Sequence, residues 1–174
     1  MAVLRVLTWG DPVLRKISRP VEPEEFDDAF RAWCDDLVET MYEADGVGLA
    51  AVQVGRPIRV LAVDTEFREG GSKSPVVYVN PVLEPAAPDC VMDEGCLSVP
   101  GVRGKVSRPE KVHVSWQDVH GDFHRREGLE GLEARCLLHE MDHLEGILFV
   151  DKISPVARSL VQGKLRKLAQ TSGK

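Results

Sequence analysis

The sequence lacks long hydrophobic runs and paired cysteines, and we expect no secretory leader. Its longest apolar runs, VLAV and GILFV, are far shorter than the roughly 20 residues that span a bilayer. The N-terminus, MAVLRVLTWGDPVLRK, shows no basic region followed by a long apolar stretch, so we expect a cytoplasmic protein with no membrane segment. The cysteines have no paired spacing, which in a reducing compartment predicts free thiols, ligands or core residues. They are Cys34, Cys90, Cys96 and Cys136.

Acidic residues are absent after Asp151, although the chain as a whole is acidic. The formal net charge is −6, and six Lys or Arg follow Asp151, so residues 1–151 carry −12 (−6 − 6) and the tail carries +6. We therefore expect no nucleic-acid binding by the body of the protein, whereas the tail could contact a polyanion.

The composition and length predict one globular domain, residues 1–174. Hydrophobic residues make up 43% and charged residues 29%, with no biased tract. Apolar spacing predicts an amphipathic helix from Pro23 to about Gly46 and a second helix over residues 130–146. A third helix is predicted from Ser154 as N-cap and Pro155 as first residue. Short β-branched runs between residues 48 and 115 predict mostly antiparallel strands, which gives an α+β fold around the second helix.

The stretch CLLHEMDHLEG on the second helix indicates a metal site. Residues four apart lie about 40° apart around a helix, so His139 and His143 can present both imidazoles to one ion. Glu140 lies about 100° around from His139, which suits a base acting on water and not a ligand. A polar helix surface is the plain alternative, because HExxH also occurs by chance.

Two imidazoles need a third ligand, and the downstream sequence offers little. Phe149 stands where a metzincin protease has its third histidine, and no glutamate follows Glu145. The remaining candidates are Asp151 and two upstream cysteines. Cys136 lies about 10.5 Å along the helix from His143, which makes a shared ion difficult and favours a core or pocket position. Cys96, in DEGCLSVPG, is the better cysteine, although a lone cysteine is often only core filling.

Three stretches together resemble the motifs of peptide deformylases. They are GVGLAAVQVG, EGCLSVPG and HEMDHLEG, in that family's order and at similar spacing. The resemblance implies removal of the formyl group from the N-terminal formyl-methionine of new polypeptides. It also implies that Cys96, His139 and His143 bind a metal, usually ferrous iron, with zinc, nickel or cobalt also able to fill the site.

The resemblance further implies roles for residues near the metal. Glu140 would move the proton, while the Gln53 side chain and the Leu97 backbone N–H would stabilise the oxyanion. Main-chain groups of Val47 and Gly48 would pair with the substrate. Glu94 and Cys136 are also expected to contact the substrate, Cys136 as a wall of the methionine pocket, with Arg103 close by.

The chain departs from the family pattern at two positions and leaves other functions open. Val52 stands where many members have proline, and Leu138 stands where glutamine is common, which would alter a supporting hydrogen bond. The alternatives are a metallopeptidase or deacylase of another amide, and a non-catalytic metal-binding protein associated with the ribosome. Residues 152–174 also suit ribosome contact, as in some relatives.

Overall fold

The computed structural model describes residues 1–172, apart from the side chain of Glu69. Residues 173 and 174, which the predicted single domain and basic tail include, lie outside the described residues. Three helices and seven strands form the described chain. The helices are α1 (Asp28–Glu43), α2 (Gly131–Leu144) and α3 (Pro155–Thr171). The strands are β1 (Gly48–Ala50), β2 (Val60–Val63), β3 (Val76–Pro85), β4 (Asp89–Cys96), β5 (Val99–Pro109), β6 (Lys111–Gln117) and β7 (Phe123–Glu130).

The strands form two antiparallel sheets. One has the order β1-β2-β3-β6-β7, and the other is the β4–β5 hairpin. The predicted α+β class, with antiparallel strands around the HExxH helix, is confirmed. Buried side chains of α1 and α2 pack with residues of the five-stranded sheet in two separate apolar clusters. A third cluster, which includes Leu165 of α3, joins that helix to β5 and to Phe149 and Val150.

The first helix begins later than its apolar pattern predicts. Pro23–Glu25 form a 3-10 turn, and α1 starts only after Asp27, whose carboxylate accepts a hydrogen bond from the backbone N–H of Phe30 at 2.7 Å. A side-chain acceptor at the N-cap satisfies an otherwise unpaired backbone donor of the first turn. The prediction of a start at Pro23 was therefore wrong by five residues.

The last two helices have the predicted ends. Ser154 caps α3, because its hydroxyl accepts a hydrogen bond from Ala157 N at 3.2 Å, and Pro155 is the first helical residue. Gly146 follows α2 with φ +72°, and a Cβ there would lie 2.6 Å from the carbonyl oxygen of Arg15. Glycine is therefore needed at 146 for both conformation and space.

The helices of the described chain do not have the properties of membrane spans. Of the helices in residues 1–172, none combines the length and the apolar character that spanning a membrane requires. The four cysteines are all free thiols, as the sequence predicts.

Candidate active site

Strand β1 and the helix behind it approach each other unusually closely at Gly48. A Cβ at this position would lie 2.5 Å from Cys136 Sγ and 2.7 Å from Glu140 Oε1. Only glycine allows the backbone to pass so near the side chains of α2. The strand therefore runs directly over the HExxH helix, and the 3-10 turn Ala51–Val54 follows it.

The β4–β5 hairpin carries Cys96 to the same place. The pairing register of the hairpin shifts between Gly95 and Cys96, where β4 ends, and Cys96 then opposes Val99 across a tight turn. This irregularity breaks the regular strand alternation, as bulges near functional sites commonly do.

One sulfur and two imidazoles converge between β4 and α2. Ligand atoms of Cys96, His139 and His143 all lie within 4.8 Å of one another. Cys96 Sγ is 3.3 Å from His143 Nε2, and the two imidazole centroids are 5.0 Å apart. Bonds of about 2.3 Å to sulfur and 2.1 Å to nitrogen, meeting at a tetrahedral angle, would place these atoms about 3.6 Å apart. The three residues therefore fit one divalent ion, and burial lowers the pKa of His143, which favours the neutral imidazole that a metal requires.

Glu94 lies behind the metal site and holds His139 in position. Its Oε1 accepts a hydrogen bond from His139 Nδ1 at 2.9 Å, which leaves Nε2 of that ring for a metal. Arg108 and Arg135 donate to the same carboxylate, at 2.6–3.1 Å. Burial opposes ionisation of Glu94, but the hydrogen bonds from His139 and Arg108 outweigh it and lower its pKa to about 2.

The role of Glu94 therefore differs from the one expected. The Glu94 side chain is 4% exposed, and both carboxylate oxygens already accept hydrogen bonds from protein groups. A substrate contact would have to displace one of these partners. The structure instead gives Glu94 the position of an anchor for a metal ligand.

Glu140 lies beside the three ligands without being one of them. Its Oε2 is buried and has no hydrogen-bond partner among the described residues. Burial raises the pKa of Glu140 to about 7, close to the value at which a group both accepts and gives up a proton near neutral pH. A buried oxygen without a partner next to a metal-ligand set suits a group that handles the proton of a bound water or substrate.

Gln53 also points towards Cys96. Its Oε1 accepts a hydrogen bond from Ala50 N at 2.9 Å, and its amide nitrogen lies 3.0 Å from Ser98 Oγ and 3.7 Å from Cys96 Sγ. The orientation of the amide is thus fixed, with its N–H groups on the side of the metal ligands. Leu97 follows Cys96 in the hairpin turn.

A cleft of about 520 Å³ opens beside these groups. Its walls bring together the remaining residues that the sequence singled out: Val47, Gly48, Gln53, Glu94, Leu97, Arg103 and Cys136. Cys136 is 6% exposed, and burial raises its pKa, so it is a neutral wall residue and not a thiolate ligand. Arg103 lies at the rim and pairs with Asp93 at 2.5 Å.

Asp151 does not supply the third ligand. Its carboxylate pairs with Arg15, at 2.5 Å and 3.1 Å, and it also accepts a hydrogen bond from Leu148 N. The group of the described residues that could hold a metal ion, Cys96, His139 and His143, is the set that the family resemblance implies.

Sequence reasoning missed the buried partners of Glu94. Arg108 and Arg135 lie outside the three motifs, but Arg135 lies four residues before His139 on α2 and so on the same face. The sequence signal that could have found Arg135 is its charge, one helical turn before a predicted ligand.

Leu138, where the resemblance raised doubt, packs on the apolar cluster, and its carbonyl oxygen lies 3.4 Å from Arg108 Nη1. Val52 is fully buried in the same cluster.

Comparisons with known proteins now decide the family. The profile of the family described as polypeptide deformylase matches residues 3–159. The chain belongs to the polypeptide deformylase family. A peptide deformylase of Rhizorhabdus wittichii is 49% identical over 172 residues, which cover 96% of each chain. One from Brucella suis is 45% identical over 97% of this chain and 95% of its own. The crystal structure of a peptide deformylase from Legionella pneumophila has a TM-score of 0.87 at 41% identity, and covers 98% of this chain and 97% of that one.

Membership confirms the predicted activity. The chain is a metal-dependent hydrolase that removes the N-formyl group from newly made polypeptides. The deformylase motifs thus account for the convergence of Cys96, His139 and His143 on one point.

Proposed function

We propose that Cys96, His139 and His143 hold a ferrous ion in the cell and that Glu140 moves the proton during hydrolysis of the formyl amide. The observation that carries this proposal is the convergence of one sulfur and two imidazoles beside the unpartnered Oε2 of Glu140. One thiolate and two imidazoles also accept zinc, nickel or cobalt. Iron is inferred from the resemblance of the three motifs to a family that usually uses it.

The ion, when bound, supplies Lewis acidity to water and to the formyl carbonyl. Glu140 Oε2 accepts the proton of the attacking water and then delivers it to the departing amine of methionine. The Gln53 amide, whose orientation is fixed by Ala50 N, donates to the carbonyl oxygen as negative charge develops, together with the backbone N–H of Leu97. The Gln53 amide is already held in this orientation, so little reorganisation of this donor is needed in the transition state.

Val47 and Gly48 give the substrate a strand to pair with. Strand β1 is the edge of the five-stranded sheet, and Gly48 lies on the wall of the cleft. A peptide added along this edge is held by main-chain hydrogen bonds, which do not depend on its side chains. The methionine side chain then enters the apolar part of the cleft beside Cys136. This arrangement suits an enzyme that acts on many different new chains.

Anaerobically purified protein with stoichiometric Fe(II) should release formate from a formyl-Met-Ala-Ser peptide. Acetyl-Met and unblocked peptides serve as controls, because a general deacylase or a peptidase would cleave them. No formate release with iron bound would contradict the assignment. Full activity in protein containing only zinc by elemental analysis would contradict the inference of iron.

Glu140→Ala should keep its metal and lose turnover. The side chain is not a ligand, so elemental analysis should match wild type, whereas loss of a proton-transfer group typically costs 10²–10⁴ in rate. Cys96→Ala is the matched comparison, because it should lose the metal as well as the activity. Equal metal loss in both variants would show that Glu140 is itself part of the metal set.

We also propose that the basic C-terminal segment contacts the ribosome, which places the enzyme in the cytoplasm where new chains emerge. Arg166 and Lys167 are exposed on α3 and make no ion pair among residues 1–172. Lys152 and Arg158, by contrast, pair with Asp142 and Asp151. Lys174, counted in the +6 tail, lies outside the described residues.

The variant Arg166→Glu/Lys167→Glu should sediment less with ribosomes at low salt, since contacts to phosphate are salt-dependent. Lys105→Glu/Lys111→Glu makes the same change in net charge on strands β5 and β6. Equal losses in the two double variants would indicate a general charge effect and contradict a contact through α3.

A further inference from the structure

A connected series of charged side chains runs from the protein surface to His139. Lys152 Nζ lies 3.2 Å from Asp142 Oδ2, and Arg108 Nη1 donates to the same oxygen at 2.7 Å. The other edge of Arg108 donates to both oxygens of Glu94, from Nε at 2.6 Å and from Nη2 at 3.0 Å. Glu94 in turn accepts the hydrogen bond from His139 Nδ1 at 2.9 Å. Asp142 is thus separated from the metal ligand by two side chains.

Asp142 offsets the charge of one of the two buried arginines in this series. Arg108 and Arg135 both donate to Glu94, so two buried cations face one buried anion. The Arg108 side chain is 2% exposed and that of Asp142 is 16% exposed. Asp142 therefore supplies the second negative charge at low exposure. Removing one partner of a buried pair leaves an uncompensated charge, which is strongly unfavourable.

Arg108 has donors on two edges of one rigid plane. The guanidinium group of Arg108 is planar and rigid, so a hydrogen bond from Nη1 to Asp142 also fixes the direction of the opposite edge. That edge, formed by Nε and Nη2, is thereby held against Glu94. The position of Glu94 then fixes the orientation of the His139 ring. His143 lacks this support, because its Nδ1 is buried without a partner among the described residues. His139 is thus the imidazole whose orientation depends on hydrogen bonding.

We propose that Asp142 is a positioning residue of the metal site, acting through Arg108 and Glu94 on His139. The proposal rests on the metal site put forward above, and it assigns a function to the Asp within HEMDH. The Asp142 side chain is neither among the three proposed ligands nor among the residues of the cleft wall. Its effect on the metal is therefore indirect and should appear as faster metal release.

Asp142→Asn tests this proposal, because asparagine keeps the shape and the acceptor oxygen but removes the charge. We expect Ni2+ to leave the variant about tenfold faster, measured by chelator capture, at the low end of the range for residues that support a ligand. The thiolate absorption band of the Co2+-loaded variant should also shift. Neither readout depends on enzymatic activity.

Asp151→Asn is the matched control. Asp151 is also an arginine-paired aspartate, but its partners are Arg15 and Arg158, and in the described chain it bonds to neither Glu94 nor Arg108. This variant should lose thermal stability with an unchanged rate of Ni2+ release. If Asp142→Asn behaves like Asp151→Asn, Asp142 has only a structural role and the proposal is wrong.

A double-variant comparison tests the route through Glu94. In a Glu94→Gln background, Asp142→Asn should add little, because the intermediate group is already altered. Fully additive effects would overturn the route. Should Asp142→Asn fail to fold, Arg108→Lys gives the same test, since lysine keeps the charge but cannot bind both carboxylates in one plane. If the wild-type chain binds no Ni2+ or Co2+, the proposed metal site is wrong. If wild type binds these ions and only the Asp142 variant behaves like its control, the metal site stands and the role given to Asp142 is wrong.

Discussion

At position 48 the absence of a side chain sets the distance between the strand proposed to pair with the substrate and Glu140, the group proposed to move the proton. Both Cys136 Sγ and Glu140 Oε1 would lie less than 3 Å from a Cβ of Gly48. Contacts this short force a shift of the strand or of the α2 side chains. Because Glu140 lies on one side of this contact and the proposed substrate position on the other, either shift changes the distance over which the proton would move.

Gly48→Ala should therefore reduce kcat by about 10²-fold, the effect expected from a displacement of about 1 Å near the reacting groups. Formate release by the iron-loaded variant measures this loss. Gly48→Ala/Cys136→Ala should recover part of the activity, because removal of the sulfur makes room for the new methyl group. An unaltered kcat in the single variant would show that strand and helix are not coupled at this contact.

The sequence indicated the candidate ligands more readily than the groups that support them. His139 and His143 followed from helix geometry, whereas Cys96 required the family resemblance, because 43 residues separate it from His139 in the chain. The hydrogen bond between Glu94 and His139 spans 45 positions, and no local pattern indicates it. Long-range contacts of this kind arise from packing of the hairpin against α2, which periodicity does not encode.

At the scale of elements, α2 serves both the core and the active site. Leu137 and Leu144 are fully buried in the apolar cluster, while Arg135, His139 and His143 turn towards Glu94 and Cys96. Because its buried surface carries both apolar and polar or charged side chains, α2 is less apolar than its position in the core suggests. The sequence nevertheless predicted this helix, because the HExxH spacing indicates a helix in addition to the apolar spacing.

No motif or apolar alternation in the sequence indicates strand β7. Its sequence, FHRREGLE, contains four charged residues, and only Leu129 is buried. Because β7 is the edge of its sheet, it needs little apolar alternation, and hydrogen bonds to β6 are sufficient to form it. The late start of α1 has a comparable cause, since the capping carboxylate of Asp27 outweighs the apolar spacing that begins at Phe26.

Helix α3 contains a glycine whose replacement should stabilise it. No atom lies within 4 Å of a Cβ built on Gly163, and the residue is exposed in the middle of the helix. Gly163→Ala should add about 0.5–1 kcal/mol to the free energy of unfolding, because alanine loses less backbone entropy on folding. Calorimetry should show a Tm higher by roughly 1–4 °C.

The matched substitution Gly146→Ala should have the opposite effect. Gly146 has φ +72°, and its Cβ would meet the carbonyl oxygen of Arg15 at 2.6 Å, so alanine is strained by both conformation and contact. A Tm that falls in both variants would mean that α3 does not gain from helix propensity at 163.

At the scale of the whole molecule, the proposed metal ligands come from two separately built parts. Cys96 belongs to the two-stranded hairpin, whereas His139 and His143 belong to the helix that packs on the five-stranded sheet. Hydrogen bonds from Arg135 to Val106 O, which is buried, and to Cys90 O, which is partly buried, also connect these parts. A bound ion adds a strong connection between them that the unfolded chain cannot form, so folding and metal binding are linked.

Metal removal should consequently lower the Tm of the wild-type enzyme. At a free metal concentration 100 times the Kd, the linkage contributes about 2.7 kcal/mol. At roughly 2–4 °C per kcal/mol, chelation should lower the Tm by roughly 5–11 °C. Cys96→Ala should show no further loss on chelation, whereas Cys34→Ala, which removes a buried thiol of the α1 cluster, should start lower and still lose the full increment. A Tm unaffected by chelation in wild type, with metal loss confirmed by elemental analysis, would show that the hairpin stays docked on α2 through protein contacts alone.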